Sequence, residues 1–121
     1  MATLPIILGI NSIAVSLLLI GLSIPLLRGR IKPNHWYGFR FPESFASDAA
    51  WYATNRYGAR RLIVWAVVGL FVSVALLVFG KDLSLPMTLM MGVAPALTVL
   101  SGIESWRFAK EYAARQKTNG G

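Results

Sequence analysis

The sequence has 121 residues, of which 55% are hydrophobic and only 14% are charged. Soluble domains carry about 25% charged residues, so this composition excludes an ordinary soluble domain and predicts a membrane protein. The absence of cysteine excludes disulfides, thiol catalysis and cysteine-ligated metal sites. The net charge is +7, and its meaning depends on where the charges lie.

Three runs of the chain contain no ionisable side chain, namely residues 4–27, 62–80 and 83–103. As helices they would span roughly 36, 28 and 31 Å, against about 30 Å for the hydrocarbon core of a bilayer. A single segment can cross that core only as a helix, because its backbone polar groups must be satisfied within the segment. The sequence therefore predicts a single all-α membrane domain with three spans, a loop at 28–61 and a tail at 104–121.

The first run has a second interpretation, as a signal peptide. A signal peptide places basic residues before a shorter apolar core, and a cleavage site of small residues follows that core. Here no basic residue precedes the run, and Arg28, Arg30 and Lys32 follow it. This order favours a retained anchor whose N-terminus is translocated.

The basic residues are distributed unevenly along the chain. Seven of the twelve Lys and Arg residues lie in 28–61 and four lie in 104–121, whereas the turn between the second and third runs holds only Lys81. Basic loops stay on the cytoplasmic side of a membrane. We therefore expect the loop and the C-terminus to be cytoplasmic and the N-terminus to be outside. The Trp and Tyr residues agree, because they lie in or beside the same segments and favour the headgroup layer.

The apolar runs carry small residues at helical spacing. In the first run, Gly9, Ser12, Ser16 and Ser23 form one narrow stripe. Small residues let helices approach closely in lipid, so the stripe favours packing within the chain or between copies of it over a pore. A kink is expected at Pro95, because proline cannot donate a backbone hydrogen bond. The runs hold no ionisable residue, which argues against a proton- or ion-coupled transporter.

The loop is too rich in aromatic residues to be a plain linker. Pro42 holds the residue before it in an extended conformation, and Gly38 permits a tight turn. Ser44 then resembles a helix N-cap, and residues 45–57 read as a short cytoplasmic interfacial helix that ends near Gly58. We expect this helix to fold back against the ends of the spans.

Arg40 has two interpretations. Its planar, permanently charged guanidinium is able to bind a carboxylate or a lipid phosphate with two hydrogen bonds, which would make it a ligand-binding residue. Alternatively, it pairs with Glu43 or Asp48 and fixes the loop on its helix.

The sequence shows no recognisable catalytic or metal-binding constellation. His35 is the only histidine and there is no cysteine, so neither a metal nor another cofactor is expected. Glu43 and Asp48 match no catalytic template, and the acidic residues that three-helix lipid kinases place at their helix ends are missing. The basic tail is expected to contact anionic lipid, whereas no folded domain presents its charges as a groove for nucleic acid. We therefore predict that the protein is not an enzyme.

One ordered pattern of residues runs through the loop. It consists of Pro33-Asn34, Tyr37-Gly38-Phe39-Arg40, Pro42, Asp48, Trp51-Tyr52 and Asn55-Arg56. In residue types and spacing this pattern resembles the signature of the SdpI family of bacterial membrane proteins. The main departure is Phe41, which stands where that signature usually has threonine.

The resemblance implies a role in immunity. A characterised member of that family protects cells against a secreted toxic peptide, and it relays the toxin's presence by holding a transcriptional repressor at the membrane. The resemblance thus implies a protein of the bacterial inner membrane, with lipids, a peptide toxin and a cytoplasmic repressor as candidate partners. The alternative is a small accessory subunit of a larger membrane complex, which would copurify with its partners. The residues expected to form the binding site are Asn34, Tyr37, Gly38, Phe39, Arg40, Pro42, Asp48, Trp51, Asn55 and Arg56.

Overall fold

A computed structural model of the chain describes residues 3–79, 86, 89, 90 and 93–119. Three long helices carry the fold, and a short 3₁₀-helix precedes the second and the third of them. In chain order these elements are α1 (Thr3–Leu27), a 3₁₀-helix (Pro42–Ala46), α2 (Asp48–Phe79), a second 3₁₀-helix (Ala94–Thr98) and α3 (Val99–Asn119). The predicted all-α class with three helices is confirmed.

Within the residues that the structure describes, two helices are long and apolar enough to cross a membrane. The candidate spans lie at Ile6–Leu27 in α1 and at Asp48–Val78 in α2, and only 22% and 17% of the 18-residue apolar stretch within each are buried inside the protein. A soluble protein would cover such surfaces, whereas a bilayer solvates them. The third predicted span, 83–103, is described only in part, at residues 86, 89, 90 and 93–103.

α2 is longer at its N-terminal end than the sequence indicated. The expected helix end near Gly58 is wrong, because Asp48–Phe79 is one continuous helix of 32 residues. A glycine inside a helix costs only about 1 kcal/mol relative to alanine, so packing can outweigh it. The predicted cap is also wrong: the Ala50 N–H donates to Ser47 Oγ at 3.0 Å, which makes Ser47 rather than Ser44 the N-cap.

α1 ends in a Schellman turn. The Arg30 N–H donates to the Pro25 carbonyl at 3.0 Å, and the Gly29 N–H donates to the Leu26 carbonyl at 3.2 Å. Gly29 has a φ of 69°, a left-handed conformation that residues with a Cβ rarely adopt. The turn satisfies the last carbonyls of α1 and directs the chain into the loop.

α2 packs against both α1 and α3, and the interface with α1 is built from small residues. The stripe predicted on α1 is buried, with Ser12, Ser16 and Ser23 at most 1% exposed. At Gly9, an added Cβ would lie 2.7 Å from the side chain of Leu77 on α2. The stripe therefore serves close helix packing within the chain, one of the two interpretations that the sequence left open.

α3 extends the third predicted span into the basic tail. The second 3₁₀-helix contains Pro95 and interrupts the α-helical backbone where a kink was expected. Beyond Val99 the chain stays helical to Asn119, so most of the predicted tail is helix. This part of α3 is held on α2 by stacking of Phe108 on Tyr57, whose ring centroids are 4.4 Å apart with planes inclined by 8°.

Candidate functional site

The first turn of the loop is organised by Asn34. Its Oδ1 accepts hydrogen bonds from the backbone N–H groups of Trp36 and Tyr37 at 2.8 and 2.7 Å, and its Nδ2 donates to the Lys32 carbonyl at 2.7 Å. An asparagine side chain can replace backbone partners in this way and close a turn without regular secondary structure. The role of Asn34 in the described fold is to shape the loop.

Two neighbouring residues fasten this turn to the helices. The Tyr37 hydroxyl donates to the carbonyl of Leu22, more than one turn before the end of α1. Gly38 has a φ of 119°, and a Cβ there would lie 2.5 Å from Asn55 Oδ1 and 3.2 Å from the Trp51 ring. Glycine is therefore required at position 38 for two reasons, its backbone conformation and its close approach to α2.

Asn55 binds the loop from α2. Its Oδ1 accepts the Phe39 N–H at 2.6 Å, while its Nδ2 lies 3.4 Å from the Phe39 carbonyl and 2.9 Å from the Trp51 carbonyl. Asn55 is only 2% exposed, so these bonds are made in a region that water scarcely reaches. The side chain satisfies the backbone N–H and carbonyl of Phe39, which no secondary structure pairs.

Trp51 lies on α2, and the loop packs around it. It is fully buried, and its Nε1 donates to the Ile31 carbonyl at 2.8 Å. The ring of Phe45 packs on it at a centroid distance of 5.3 Å. The indole thus contributes apolar packing through its ring and a hydrogen bond through its edge, which is the usual pattern for a buried tryptophan.

The remaining predicted site residues lie at the edge of this packed centre. Arg40 is exposed and donates through Nη1 to the His35 carbonyl. No ion pair joins it to Glu43 or Asp48, although all three residues are described, so the second interpretation of Arg40, an internal pair with one of these carboxylates, is wrong. Asp48 is exposed in the first turn of α2, where a carboxylate favours the positive end of the helix dipole.

The other two predicted residues have mainly local roles. Pro42 begins the first 3₁₀-helix, where its missing N–H costs nothing. Arg56 is exposed on α2, and its guanidinium lies 3.0 Å from where a Cβ on Gly29 would be. The structure therefore groups Asn34, Tyr37, Gly38, Phe39, Trp51 and Asn55 into one interlocked unit and leaves the four others outside it.

The sequence analysis did not predict that the Phe39 ring packs on Gly58 of α2. A Cβ at Gly58 would lie 2.4 Å from the Phe39 ring, so the ring occupies the space that the missing side chain leaves on α2. The signal was present as a glycine inside a helical pattern, which often marks close packing rather than a helix end.

A second group that the sequence did not indicate joins α2 to α3. Arg61 forms an ion pair with Glu104, with an Nη2 to Oε2 distance of 2.8 Å, and Trp65 Nε1 donates to Glu104 Oε1 at 2.7 Å. The hydrogen bond from Arg61 lowers the pKa of the Glu104 carboxyl below its ordinary value, and the bond from Trp65 acts in the same direction against the effect of burial. Glu104 lies just beyond the third uncharged run, so the pair fixes α3 on α2 at the end of that run.

The exposed part of the loop is where a ligand could be bound. Trp36 is 90% exposed beside the fixed turn, an unusual state for so large an apolar side chain. The cationic side chains of Lys32 and Arg40 are exposed in the same loop. No three metal-ligating side chains come together within the described ranges. The arrangement is suited to binding through an aromatic ring and cations on a rigid support.

Comparison with known proteins identifies the region that contains this loop. The profile described as the SdpI/YfhL protein family matches residues 30–103, more than half of the chain. The matched region contains every predicted site residue and all of α2. No curated protein and no solved structure matches the chain.

Proposed function

The chain belongs to the SdpI/YfhL family of membrane proteins, and from this membership we propose that it is an immunity protein that protects a bacterial membrane from a secreted toxic peptide. It acts by binding and signalling, without catalysing a reaction. We place it in the inner membrane, with the loop and the C-terminus in the cytoplasm. That orientation rests on the eleven basic residues of the loop and tail, against one in the turn between the second and third runs.

The observation that carries the proposal is that the family signature forms a preorganised unit. Asn34 shapes the first turn of the loop, and Gly38, Trp51 and Asn55 use their polar atoms or their backbone freedom to fix the loop on α2. A loop that is already ordered loses little conformational freedom when a ligand binds, which favours affinity. In the proposed orientation Trp36 and Arg40 face the cytoplasm, where a repressor is able to reach them.

Arg40 and Arg60 provide a matched pair for the test. Both are exposed arginines on the loop side of the protein. A sensitive bacterium is challenged with secreted toxic peptides, including any that is encoded beside this chain, and the unchanged protein should restore growth against one of them. Arg40→Ala should abolish this protection while the protein still inserts at the normal level, and Arg60→Ala should not.

The role of Arg40 can be separated from folding because its side chain is exposed. Its loss should change the free energy of unfolding by no more than about 0.5 kcal/mol, as for most surface substitutions. Equal loss of protection and of protein level would assign Arg40 a structural role only. If the unchanged protein gave no resistance, immunity would be the wrong function, and stoichiometric copurification with a larger complex would support an accessory subunit instead.

A further inference from the structure

An apolar groove of about 360 Å³ lies between the loop and the beginning of α3. Its walls are the side chains of Phe41 and Trp106, with Val99, Gly102 and Ile103 between them. A Cβ added at Gly102 would meet no atom within 4 Å, so this glycine is not needed for helix packing and leaves the groove open. The volume is within the range of small-molecule sites, about 300–1,000 Å³.

The groove lies on a helical face whose polarity changes along its length. Val99, Gly102, Ile103 and Trp106 recur at intervals of three and four residues, so they share one face of α3. The next residue on that face is Lys110, whose Nζ lies 3.6 Å from the centroid of the Trp106 ring. The face is therefore apolar beside the membrane span and cationic about two turns further on.

The acidic residues of α3 lie on a different face. Glu104 and Glu111 line a separate cavity with Tyr57 and Phe108, on the side of α3 that packs against α2. Glu104 is further occupied by its ion pair with Arg61. On the helical geometry of α3, the cation at the end of the groove thus has no carboxylate of that helix beside it.

We propose that this groove binds one acyl chain of an anionic phospholipid from the surrounding membrane, with the lipid phosphate held at Lys110. Ile103 is the last residue of the third uncharged run, so the groove lies where hydrocarbon gives way to headgroups. Trp106 lies between the apolar and cationic parts, as tryptophans do at that boundary. Lys110 gives the site its preference for negative charge.

The site gives a function to Phe41, the main departure from the signature that the sequence resembles. A threonine at position 41 would present a hydroxyl and a methyl group where Phe41 presents an aromatic ring. The ring forms one wall of the groove and extends it towards the loop. Lipid binding here is independent of whether the protein confers immunity, since its test requires no toxin.

Native mass spectrometry of the full chain in mild detergent tests the site. The protein is given equal amounts of phosphatidylglycerol and phosphatidylcholine with the same acyl chains, and it should retain one phosphatidylglycerol in preference. Gly102→Leu fills the groove and should reduce this retention at least tenfold, the equivalent of about 1.4 kcal/mol. Gly21→Leu is the matched control, because an added Cβ at Gly21 on α1 also meets nothing within 4 Å.

Lys110→Gln separates the charge from the groove. This variant should still retain lipid but should no longer distinguish phosphatidylglycerol from phosphatidylcholine. Circular dichroism establishes that each variant keeps its helices. The proposal is overturned if the unchanged protein shows no preference, or if Gly102→Leu retains phosphatidylglycerol as well as Gly21→Leu does. It is also overturned if the unchanged protein is a dimer that Gly102→Leu dissociates, since the groove would then hold a second copy.

Discussion

Asn55 binds both the backbone N–H and the backbone carbonyl of Phe39 through its side-chain amide, although sixteen residues separate the two along the chain. The Phe39 N–H donates to Asn55 Oδ1 at 2.6 Å, and Asn55 Nδ2 lies 3.4 Å from the Phe39 carbonyl. The Asn55 side chain thus supplies the hydrogen-bond partners that the backbone of the irregular loop lacks. The loop is consequently folded as one unit with the first turns of α2.

Asn55→Ala should destabilise the protein. The substitution leaves the Phe39 N–H and carbonyl without their partner in a poorly hydrated position, so we expect a loss of about 1–3 kcal/mol in the free energy of unfolding. Thermal unfolding in detergent, followed by circular dichroism, measures this loss. Thr118→Ala is the control, because its hydroxyl bonds only the Ala114 carbonyl on an exposed surface. An unchanged Tm for Asn55→Ala would contradict the assigned role.

Gly38→Ala should be more harmful than its size suggests. The new methyl group would meet Asn55 Oδ1 at 2.5 Å, and the φ of 119° is unfavourable for alanine. We expect a destabilisation of more than about 1 kcal/mol. Gly21→Ala offers the comparison, since it meets no atom and should be neutral or stabilising by up to about 1 kcal/mol. Equal unfolding temperatures for the two variants would show that the loop is not held as described.

Glu104→Gln should remove a pH-dependent part of the stability. The folded Glu104 carboxyl has a lowered pKa, so its ion pair with Arg61 stabilises fully above the ordinary carboxyl pKa of about 4.3 and is lost as the pH falls through the folded value. The Tm of the unchanged protein should exceed that of Glu104→Gln near neutral pH, and the difference should shrink below about pH 4. Glu111→Gln, at an exposed carboxylate with no ion pair in the described residues, should show no such dependence. A difference in Tm that does not vary with pH would exclude the ion pair as its cause.

The orientation of the protein is open to a direct test. A reporter that is active only in the cytoplasm should be active when fused after Lys117, and a reporter that requires the periplasm should be silent there. Fusions after Asp82, beside the single basic residue of the turn between the second and third runs, should give the reverse pattern. The opposite results would reverse the topology and place Trp36 and Arg40 outside the cell.

The helices and the importance of the loop were predictable from the sequence for simple reasons. An uncharged run as long as a bilayer is thick has few alternatives to a membrane helix, and α1 and the apolar part of α2 follow from this. Trp51 and Asn55 were identified through the resemblance of the loop to the family signature, and their spacing of four residues places them on one helical face. These features depend on residues that lie close together in the chain, so their pattern is visible in the sequence.

The features that were wrong or missed depend on contacts between distant segments. Gly58 resembled a helix end because the ring that covers it, that of Phe39, comes from nineteen positions earlier in the chain. Of the two interpretations of Arg40, the pair with Glu43 or Asp48 was wrong, and the geometry of the turn presents a nearby backbone carbonyl, that of His35, to it instead. The ion pair between Arg61 and Glu104 required the register of α3 on α2, which no local pattern supplies.

α2 connects the two faces of the membrane mechanically. It runs without a break for 32 residues, about 48 Å, and its first turns carry the loop through Trp51 and Asn55. A continuous helix has no hinge at which its two halves could move separately. A change in the tilt of its first turns is therefore transmitted to its other end. The tight contact between Gly9 and Leu77 lies near that end. A tilt that originates at the loop would therefore press on this contact, on the far side of the bilayer from the loop.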